Sequence, residues 1–300
     1  MRQITCTFSL IFVVASGAAV HVQNAPQPLN WAGDDEKRVA ELAAGGNRDD
    51  GANVVLWTPA GALGADERRA LVARLDRGVA ALRTLVGSHD WQTVGDRKIT
   101  YYVSADRFVA HASGRAAVFI PLIRLQDGKA PYLHEAMHEL LATAETRGPM
   151  DPARLERIKQ RPLWLGEGLP DYVALTAAAS TGTTEGDVFG IGGLDGVDRT
   201  CATRLAGPAG PEVLRFIGAV GRPDALFTTD RQTVAPAFYA CSTSFTKRIV
   251  GLIGLPATVA LIPLMTQDGM HARIETLTGK PMATLRDEWL KAIGYVPQRG

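Results

Sequence analysis

The sequence has almost no excess of charge, few histidines and few cysteines. Its 300 residues carry 32 basic and 31 acidic side chains, for a net charge of +1. This balance excludes the strongly basic face of a nucleic-acid-binding protein and gives no reason to expect an acidic substrate. Internal repeats and heptad runs are also missing, which excludes repeat architectures and long coiled coils. Apolar residues make up 46% of the chain, enough for a sizeable core in one large domain or two small ones.

Charged residues are scarce at the N-terminus, where Arg2 is the only one before Asp34. The apolar run after Arg2 grades into small residues at Gly17-Ala18-Ala19. This pattern predicts a secretory signal peptide over residues 1–22, followed by a linker with a short helix over 23–52. The alternative is an uncleaved anchor, although the run is short for a membrane span. We therefore expect a periplasmic or extracellular protein whose mature chain has no stable membrane span.

Cysteine is rare, with three in the chain. Cys6 would leave with the signal peptide, so that Cys201 and Cys241 remain. An even pair in an oxidising compartment predicts a disulfide. The alternative is two buried free thiols.

Strand patterns are concentrated in the first half of the chain. Runs rich in β-branched and aromatic residues predict strands at 53–59, 98–103 and 116–125. Apolar residues at helical spacing predict a helix at 65–86. Pro121, inside the third predicted strand, favours a sheet edge or a bulge.

Helical patterns dominate the second half, after a Gly/Thr-rich loop at 181–196 that we expect to be mobile. The predicted helices are near 212–220, 235–252, 256–265, 270–278 and 282–293. The predicted fold class is therefore α+β. A small mixed N-terminal sheet, with its edge strand beside a central helix at 131–144, precedes an all-helical C-terminal subdomain.

That central helix carries two of the six histidines in the run HEAMH. On a helix, His134 and His138 lie one turn apart at the edge of an apolar arc, and Glu135 points to the next sector. Two imidazoles at this spacing reach one metal ion, and H-E-x-x-H on a helix is a zinc motif with Glu as general base. The alternative is an ordinary amphipathic helix with exposed polar flanks.

A third protein ligand is needed if the fourth position of zinc is to hold water. The run WLGEGLPDYV supplies Glu167 at an expected helix start and Asp171 one turn later on the same face. A carboxylate usually accepts the second N–H of a zinc-bound histidine, and Asp171 suits that role for His134 or His138. Alone, the two acids would be ordinary first-turn charges. Beside H-E-x-x-H they favour a metal site.

The runs HEAMH and WLGEGLPDYVA together resemble the gluzincin metallopeptidases, in which two histidines and one glutamate bind zinc. The most similar group is the peptidase MA-like domain family. The resemblance continues in YACSTSFTKRIVGLIG at 239–254 and in IETLTGKPMATLRDEWLKAIG at 274–294. It covers roughly residues 53 to 294, within a domain that we place at 53–300.

The resemblance implies a gluzincin-like fold and one Zn²⁺ per chain. It implies His134, His138 and Glu167 as the metal ligands and Glu135 as the general base. The implied activity is hydrolysis of a peptide or protein substrate by a zinc-activated water, with the substrate extended along the 116–125 edge strand.

Peptide hydrolysis also needs a donor for the oxyanion that forms on the scissile carbonyl. We expect Tyr239 to fill this role because many gluzincins use a downstream Tyr or His. The alternative for Tyr239 is a buried aromatic with a tethered hydroxyl. His271 is the reserve candidate.

Three functional hypotheses follow from the sequence. The leading one is an exported zinc metallopeptidase. The second is a non-catalytic, zinc-stabilised domain that binds peptides or cell-envelope partners, against which the presence of Glu135 argues because a structural site needs no base. The third is a metal-free helical binding protein, which requires the whole ligand set to be a coincidence.

Overall fold

The computed structural model describes most of the chain beyond residue 33. The described residues are 34–146, 160–183, 185–187, 189–228, 230–265 and 269–295. The predicted signal peptide at 1–22 and residues 23–33 of the predicted linker region lie outside them.

The described residues form an α+β fold, as predicted, around a mixed five-stranded sheet. The strands are β1 Asn47–Asp50, β2 Val54–Thr58, β3 Ile99–Ser104, β4 His111–Ala112 and β5 Ala117–Pro121, in the spatial order β1-β2-β3-β5-β4. Strands β2, β3 and β5 run parallel, and β1 and β4 pair antiparallel at the two edges. The parallel strands are the apolar ones, as expected of strands covered on both faces.

The strand at 116–125 was predicted too long and in the wrong place in the sheet. It ends at Pro121, which cannot donate a ladder hydrogen bond, and residues Leu122–Gln126 turn into a short helix. Its outer side is covered by β4, so the true edge is the two-residue strand His111–Ala112.

A second difference lies in the predicted linker region at 23–52, which contains strand β1. Its sequence NRDD has no apolar alternation because β1 is an edge strand with alternately exposed side chains. Its charged side chains form the salt bridges Arg48–Asp50 and Arg68–Asp49. Charged edge strands of this kind leave no strand signal in a sequence.

Eleven α-helices lie within the described residues. They are α1 Asp35–Gly45, α2 Ala65–Val86, α3 Leu122–Gln126, α4 Tyr132–Leu140, α5 Leu163–Thr181, α6 Gly193–Leu205, α7 Gly210–Leu214, α8 Arg231–Ile253, α9 Leu255–Val259, α10 Gly269–Thr278 and α11 Met282–Ala292. Helices α2, α8, α10 and α11 match their predicted spans to within a few residues.

Three helical predictions need correction. The loop predicted at 181–196 ends at Gly193, where α6 begins. The sequence did not predict α6, because Gly192, Gly193 and Gly196 at its N-terminus are poor helix formers. The helix predicted at 212–220 is the single turn-and-a-half of α7, and the one predicted at 256–265 is α9 followed by the 3₁₀ turn Ile262–Leu264.

The core joins the sheet to three long helices. Helix α5 packs against α2, α4 and α8. Phe245 on α8 packs between Trp164 and Trp289 with tilted rings whose centroids lie 4.9 and 5.1 Å from its own. All three are essentially inaccessible to solvent. This packing joins α5 to α8, and α5 also contacts α4, the helix that carries the two histidines.

No single helix among the described residues is long and apolar enough to cross a membrane. Residues Arg231–Ile253 and Leu255–Leu264, bent by 120°, meet the length and composition needed only as a pair.

Cys201 on α6 and Cys241 on α8 form a disulfide, with their Cα atoms 4.8 Å apart. The bond closes a sequence separation of 40 residues. In the chain-entropy model a loop of this size stabilises the fold by about 4 kcal/mol.

We therefore expect the double variant Cys201→Ala/Cys241→Ala to lose about 2–4 kcal/mol of unfolding free energy in a urea titration. Two reactive thiols in the unreduced, denatured wild type would contradict this pairing.

Candidate metal centre

Helix α4 presents its two histidines on one side and buries its apolar side in the core. Leu133, Met137 and Leu140 pack inward, and His134 is only 6% exposed. The imidazoles of His134 and His138 meet edge to face, with ring centroids 4.7 Å apart. The helical spacing predicted from the sequence therefore places both rings at one point.

Helix α5 brings Glu167 to that point. The helix begins at Leu163, so Glu167 lies in its second turn rather than at a helix start as the sequence predicted. Gly168, the next residue, allows a close approach of α5 to α8, because a Cβ there would lie 2.4 Å from the carbonyl oxygen of Ser242. Gly168 thus permits the close helix packing that positions the Glu167 carboxylate.

The three predicted ligands form a compact triangle. Nε2 of His134 lies 3.0 Å from Nε2 of His138. Oε2 of Glu167 lies 3.4 Å from the first nitrogen and 3.5 Å from the second. In a tetrahedral zinc site with bonds of about 2.0–2.2 Å, neighbouring ligand atoms are about 3.3–3.6 Å apart. The two nitrogen–oxygen edges, 3.4 and 3.5 Å, fall in this range, and the nitrogen–nitrogen edge, 3.0 Å, is slightly shorter. The triangle therefore offers two nitrogen donors and one oxygen donor at close to the spacing of such a site.

Asp171 orients the first of these ligands. Its Oδ1 accepts a hydrogen bond from Nδ1 of His134 at 2.6 Å, and its Oδ2 accepts one from the Thr243 hydroxyl at 3.0 Å. A proton held on Nδ1 leaves the lone pair of Nε2 directed at the triangle. The sequence left open which histidine Asp171 serves, and the structure assigns it to His134.

The charges around the triangle favour a cation. Burial lowers the pKa of His134, but the charges and hydrogen bonds of Asp171 and Glu167 outweigh burial and raise it well above its ordinary value. Burial raises the pKa of Glu167, yet the two imidazoles outweigh it and bring this pKa well below the usual range. The site therefore stabilises positive charge beside an ionised carboxylate.

Glu135 lies on the cleft side of α4. It is 7% exposed. It lines both the wide cleft that contains the three ligand side chains and a smaller pocket that adjoins it. This position, beside the triangle but outside it, is the one that the sequence predicted for a general base.

Tyr239 on α8 lines the same cleft and pocket. Its ring centroid lies 6.0 Å from that of His134, and its hydroxyl accepts a hydrogen bond of 2.9 Å from Nη2 of Arg231. Burial, reinforced by the charge of Glu167, raises the pKa of Tyr239 well above its ordinary value, although Arg231 acts in the opposite direction. The phenol therefore stays protonated and can donate a hydrogen bond into the cleft.

His271, the reserve candidate, is elsewhere in the fold. It lies on α10 and lines neither of the two cavities at the triangle. Its Nε2 is buried and has no hydrogen-bond partner among the described residues.

Glu185 is a site residue that the sequence did not reveal. Its carboxylate accepts hydrogen bonds from the backbone N–H groups of Leu133 and His134, at 2.8 and 3.0 Å, and so caps the first turn of α4. Burial raises its pKa to about 8. A single acid in a Gly/Thr-rich loop, far from α4 in the chain, carries no spacing signal that would have identified it.

The loop that carries Glu185 is tied to α4 at a second point. The N–H of Gly186 donates to the carbonyl oxygen of Ala130 at 3.1 Å. A Cβ at Gly186 would lie 2.4 Å from that oxygen, so glycine is required for this approach. The loop predicted to be mobile is thus held against the N-terminus of the helix that bears the histidines.

Comparisons with known proteins add little to this geometry. No family model and no curated protein matches the chain. Among solved structures, the chain is similar to a functionally unknown conserved protein from Bacillus anthracis str. Ames, with 13% identity and a TM-score of 0.44. The match covers 91% of this chain and 58% of that protein. This chain thus spans little more than half of its length, and the likeness carries no functional argument.

The bond between Asp171 and His134 leads to a testable expectation. Asp171→Asn keeps the size of the side chain and removes its charge, so Nε2 of His134 becomes a weaker donor. We expect zinc affinity to fall about 10–100-fold in a competition titration with a chromogenic chelator. Thr176→Ala, which changes a different α5 side chain that bonds only its own helix, should leave the affinity unchanged. Equal affinities for Asp171→Asn and the wild type would contradict this role.

Proposed function

We propose that this protein is an exported zinc metallopeptidase of the gluzincin type, with its peptidase domain at residues 53–300. The observation that carries the proposal is the triangle of His134, His138 and Glu167, with Glu135 beside it in one cleft. A bare cation-binding site would not need a buried, uncoordinated carboxylate next to its ligands. A hydrolytic site needs one as a base.

The chain's own residues supply the acid–base chemistry. A bound Zn²⁺ would supply Lewis acidity, which polarises a carbonyl and lowers the pKa of water. Glu135 accepts the proton of the attacking water and then delivers it to the leaving amine. Tyr239 donates a hydrogen bond to the oxyanion of the scissile carbonyl. Asp171 keeps the His134 tautomer fixed throughout.

The shape of the cleft supports an extended peptide or protein substrate. Its walls include the N-terminal turn of α1, strand β4 and the connection between β4 and β5. The edge strand of the sheet at this cleft is β4, so the substrate would pair with His111–Ala112 rather than with the predicted 116–125 strand. The smaller pocket beyond Glu135 has mixed walls: Phe108, Phe189 and Ile191 offer apolar surface to a substrate side chain, and Arg231 and Asp187 add charge.

Export is part of the same proposal. The predicted signal peptide supports it, and so does the Cys201–Cys241 disulfide, because such bonds persist mainly in oxidising compartments.

The proposal is tested by digestion of an unbiased peptide library with the zinc-loaded protein. We expect cleavage that stops when 1,10-phenanthroline removes the metal and returns when Zn²⁺ is added. A protein that binds zinc but cleaves no peptide would be the alternative, a zinc-stabilised domain that binds peptides or envelope partners.

Tyr239→Phe tests the proposed oxyanion donor. Loss of the hydroxyl should lower kcat by about 10²-fold while zinc content stays at the wild-type level. Because the variant also removes the acceptor of Arg231, its melting temperature should be measured beside its kinetics. An unchanged kcat would remove Tyr239 from the mechanism and leave the metal site intact.

A further inference from the structure

The buried acid Glu139 follows His138 directly on α4, about 100° further round the helix, and lines neither cavity at the ligand triangle. It is completely inaccessible to solvent. Its Oε1 accepts hydrogen bonds from the N–H of Gly114 at 2.7 Å and from the hydroxyl of Ser113 at 3.3 Å. Its Oε2 accepts one from the N–H of Ala116 at 2.7 Å. One carboxylate on α4 thus accepts hydrogen bonds from three donors of the β4–β5 connection.

The connection held by Glu139 has an unusual backbone. Ala116 has φ = +65°, the one positive φ of a residue other than glycine among the described residues, and Gly114 has φ = +74°. Alanine avoids this left-handed region unless its surroundings enforce it. The N–H of Ser113 closes the hairpin by donating to the carbonyl oxygen of Ala117 at 2.9 Å. The carboxylate therefore stabilises a backbone conformation that the connection would not keep by itself.

The same hairpin forms one wall of the cleft. Ala112, Ser113, Gly114 and Arg115 line it opposite His138 and Glu135. Strand β4 has only two residues, His111 and Ala112, so few ladder bonds of its own hold it in place. Its position relative to the ligand triangle therefore depends on further anchors, which are the bond of His111 to Asp35 at 2.9 Å and the bonds that Glu139 accepts from the β4–β5 connection.

We propose that Glu139 is a positioning residue that fixes the peptide-binding edge β4 against the metal-binding helix. The inference rests on the proposed peptidase function and adds to it a structural connection between the metal site and the substrate-binding strand. Because His138 and Glu139 are neighbours on α4, the same helix sets both the metal ligand and the distance to the substrate strand. An extended peptide paired with β4 then meets Glu135 in a fixed register.

The chain contains a matched control for this contact. Asp76 on α2 holds the connection between β1 and β2 in the same way, at the other edge of the sheet. It accepts hydrogen bonds from the N–H groups of Ala52, Asn53 and Val54 at 2.8, 2.7 and 3.1 Å. It lines neither cavity at the ligand triangle. Asp76→Asn therefore disturbs a similar anchor without touching the cleft.

The test compares Glu139→Gln with Asp76→Asn in the full chain. Glutamine has one acceptor oxygen where glutamate has two, so one N–H of the β4–β5 connection loses its partner. In Glu139→Gln we expect amide hydrogen exchange at Gly114 or Ala116, whichever N–H loses its acceptor, to accelerate at least about 10-fold, with zinc content unchanged. KM for a ten-residue peptide should rise about 10-fold, and KM for a dipeptide, which cannot place its bond at Glu135 and still pair with both residues of β4, should change less than about 2-fold. Asp76→Asn should accelerate exchange only at 52–54 and leave both KM values unchanged.

If Glu139→Gln does not fold, Ala116→Gly/Glu139→Gln replaces it, because glycine accepts the positive φ without strain. The inference is overturned if exchange is unchanged at both Gly114 and Ala116, if zinc is lost, or if KM rises equally for the long and the short peptide.

Failure of the proposed function gives a different result, in which the wild type cleaves neither peptide. The affinity of the zinc-loaded wild type and of Glu139→Gln for the intact ten-residue peptide then decides the inference. A 10-fold weaker complex with the variant supports it, and equal affinities overturn it.

Discussion

Glu135→Gln is expected to keep stoichiometric zinc and to lower peptide hydrolysis by about 10²–10⁴-fold. The amide has the size of the carboxylate, so the α4 helix and the ligand triangle should stay in place. It cannot accept a proton from water, and therefore the step that depends on the base is lost. Rates should be measured with the zinc-loaded variant on a peptide identified in the library digest.

The control for this variant is Glu41→Gln, which changes an exposed carboxylate on α1 that lines neither cavity at the site. It should cleave at the wild-type rate. Full activity in Glu135→Gln would rule out this residue as the base. Loss of zinc in the same variant would instead place Glu135 among the ligands.

His138→Ala is expected to abolish stoichiometric zinc binding, because it removes one corner of the ligand triangle. Binding of a ligand to the folded state alone stabilises a protein by about 2.7 kcal/mol at 100 times its Kd. The wild type should therefore gain stability at this zinc concentration, and His138→Ala should gain almost none. Urea titrations with and without ZnCl₂ measure the difference.

His271→Ala is the matched control for this experiment. His271 is a partly buried histidine on α10, away from the triangle, and its loss should leave the zinc-dependent gain in stability unchanged. An equal gain in His138→Ala and the wild type would mean that zinc binds outside the triangle.

The candidate metal centre was the part of the molecule most accessible from the sequence. Its two histidines are neighbours on one helix, so helical spacing alone fixed their relation. Glu167 and Asp171 lie on a second helix at the same one-turn spacing. The sequence could not assign Asp171 to His134, because that bond depends on how α5 packs against α4.

The sheet and the loops were less accessible, for physical reasons specific to each. The edge strands β1 and β4 are charged or very short, so they carry no alternating apolar pattern. Glu185 and Glu139 act through contacts with backbone N–H groups that are distant in the chain. Such contacts depend on the folded path of the chain and leave no local motif.

The central claim is that His134, His138 and Glu167 together hold one zinc ion. Elemental analysis of the purified mature chain, dialysed against metal-free buffer after zinc loading, tests it most directly when Glu167→Ala is analysed in parallel. The predicted result is one zinc per chain in the wild type and a much lower content in the variant. A wild-type chain without zinc, or a variant that retains all of it, would contradict the claim.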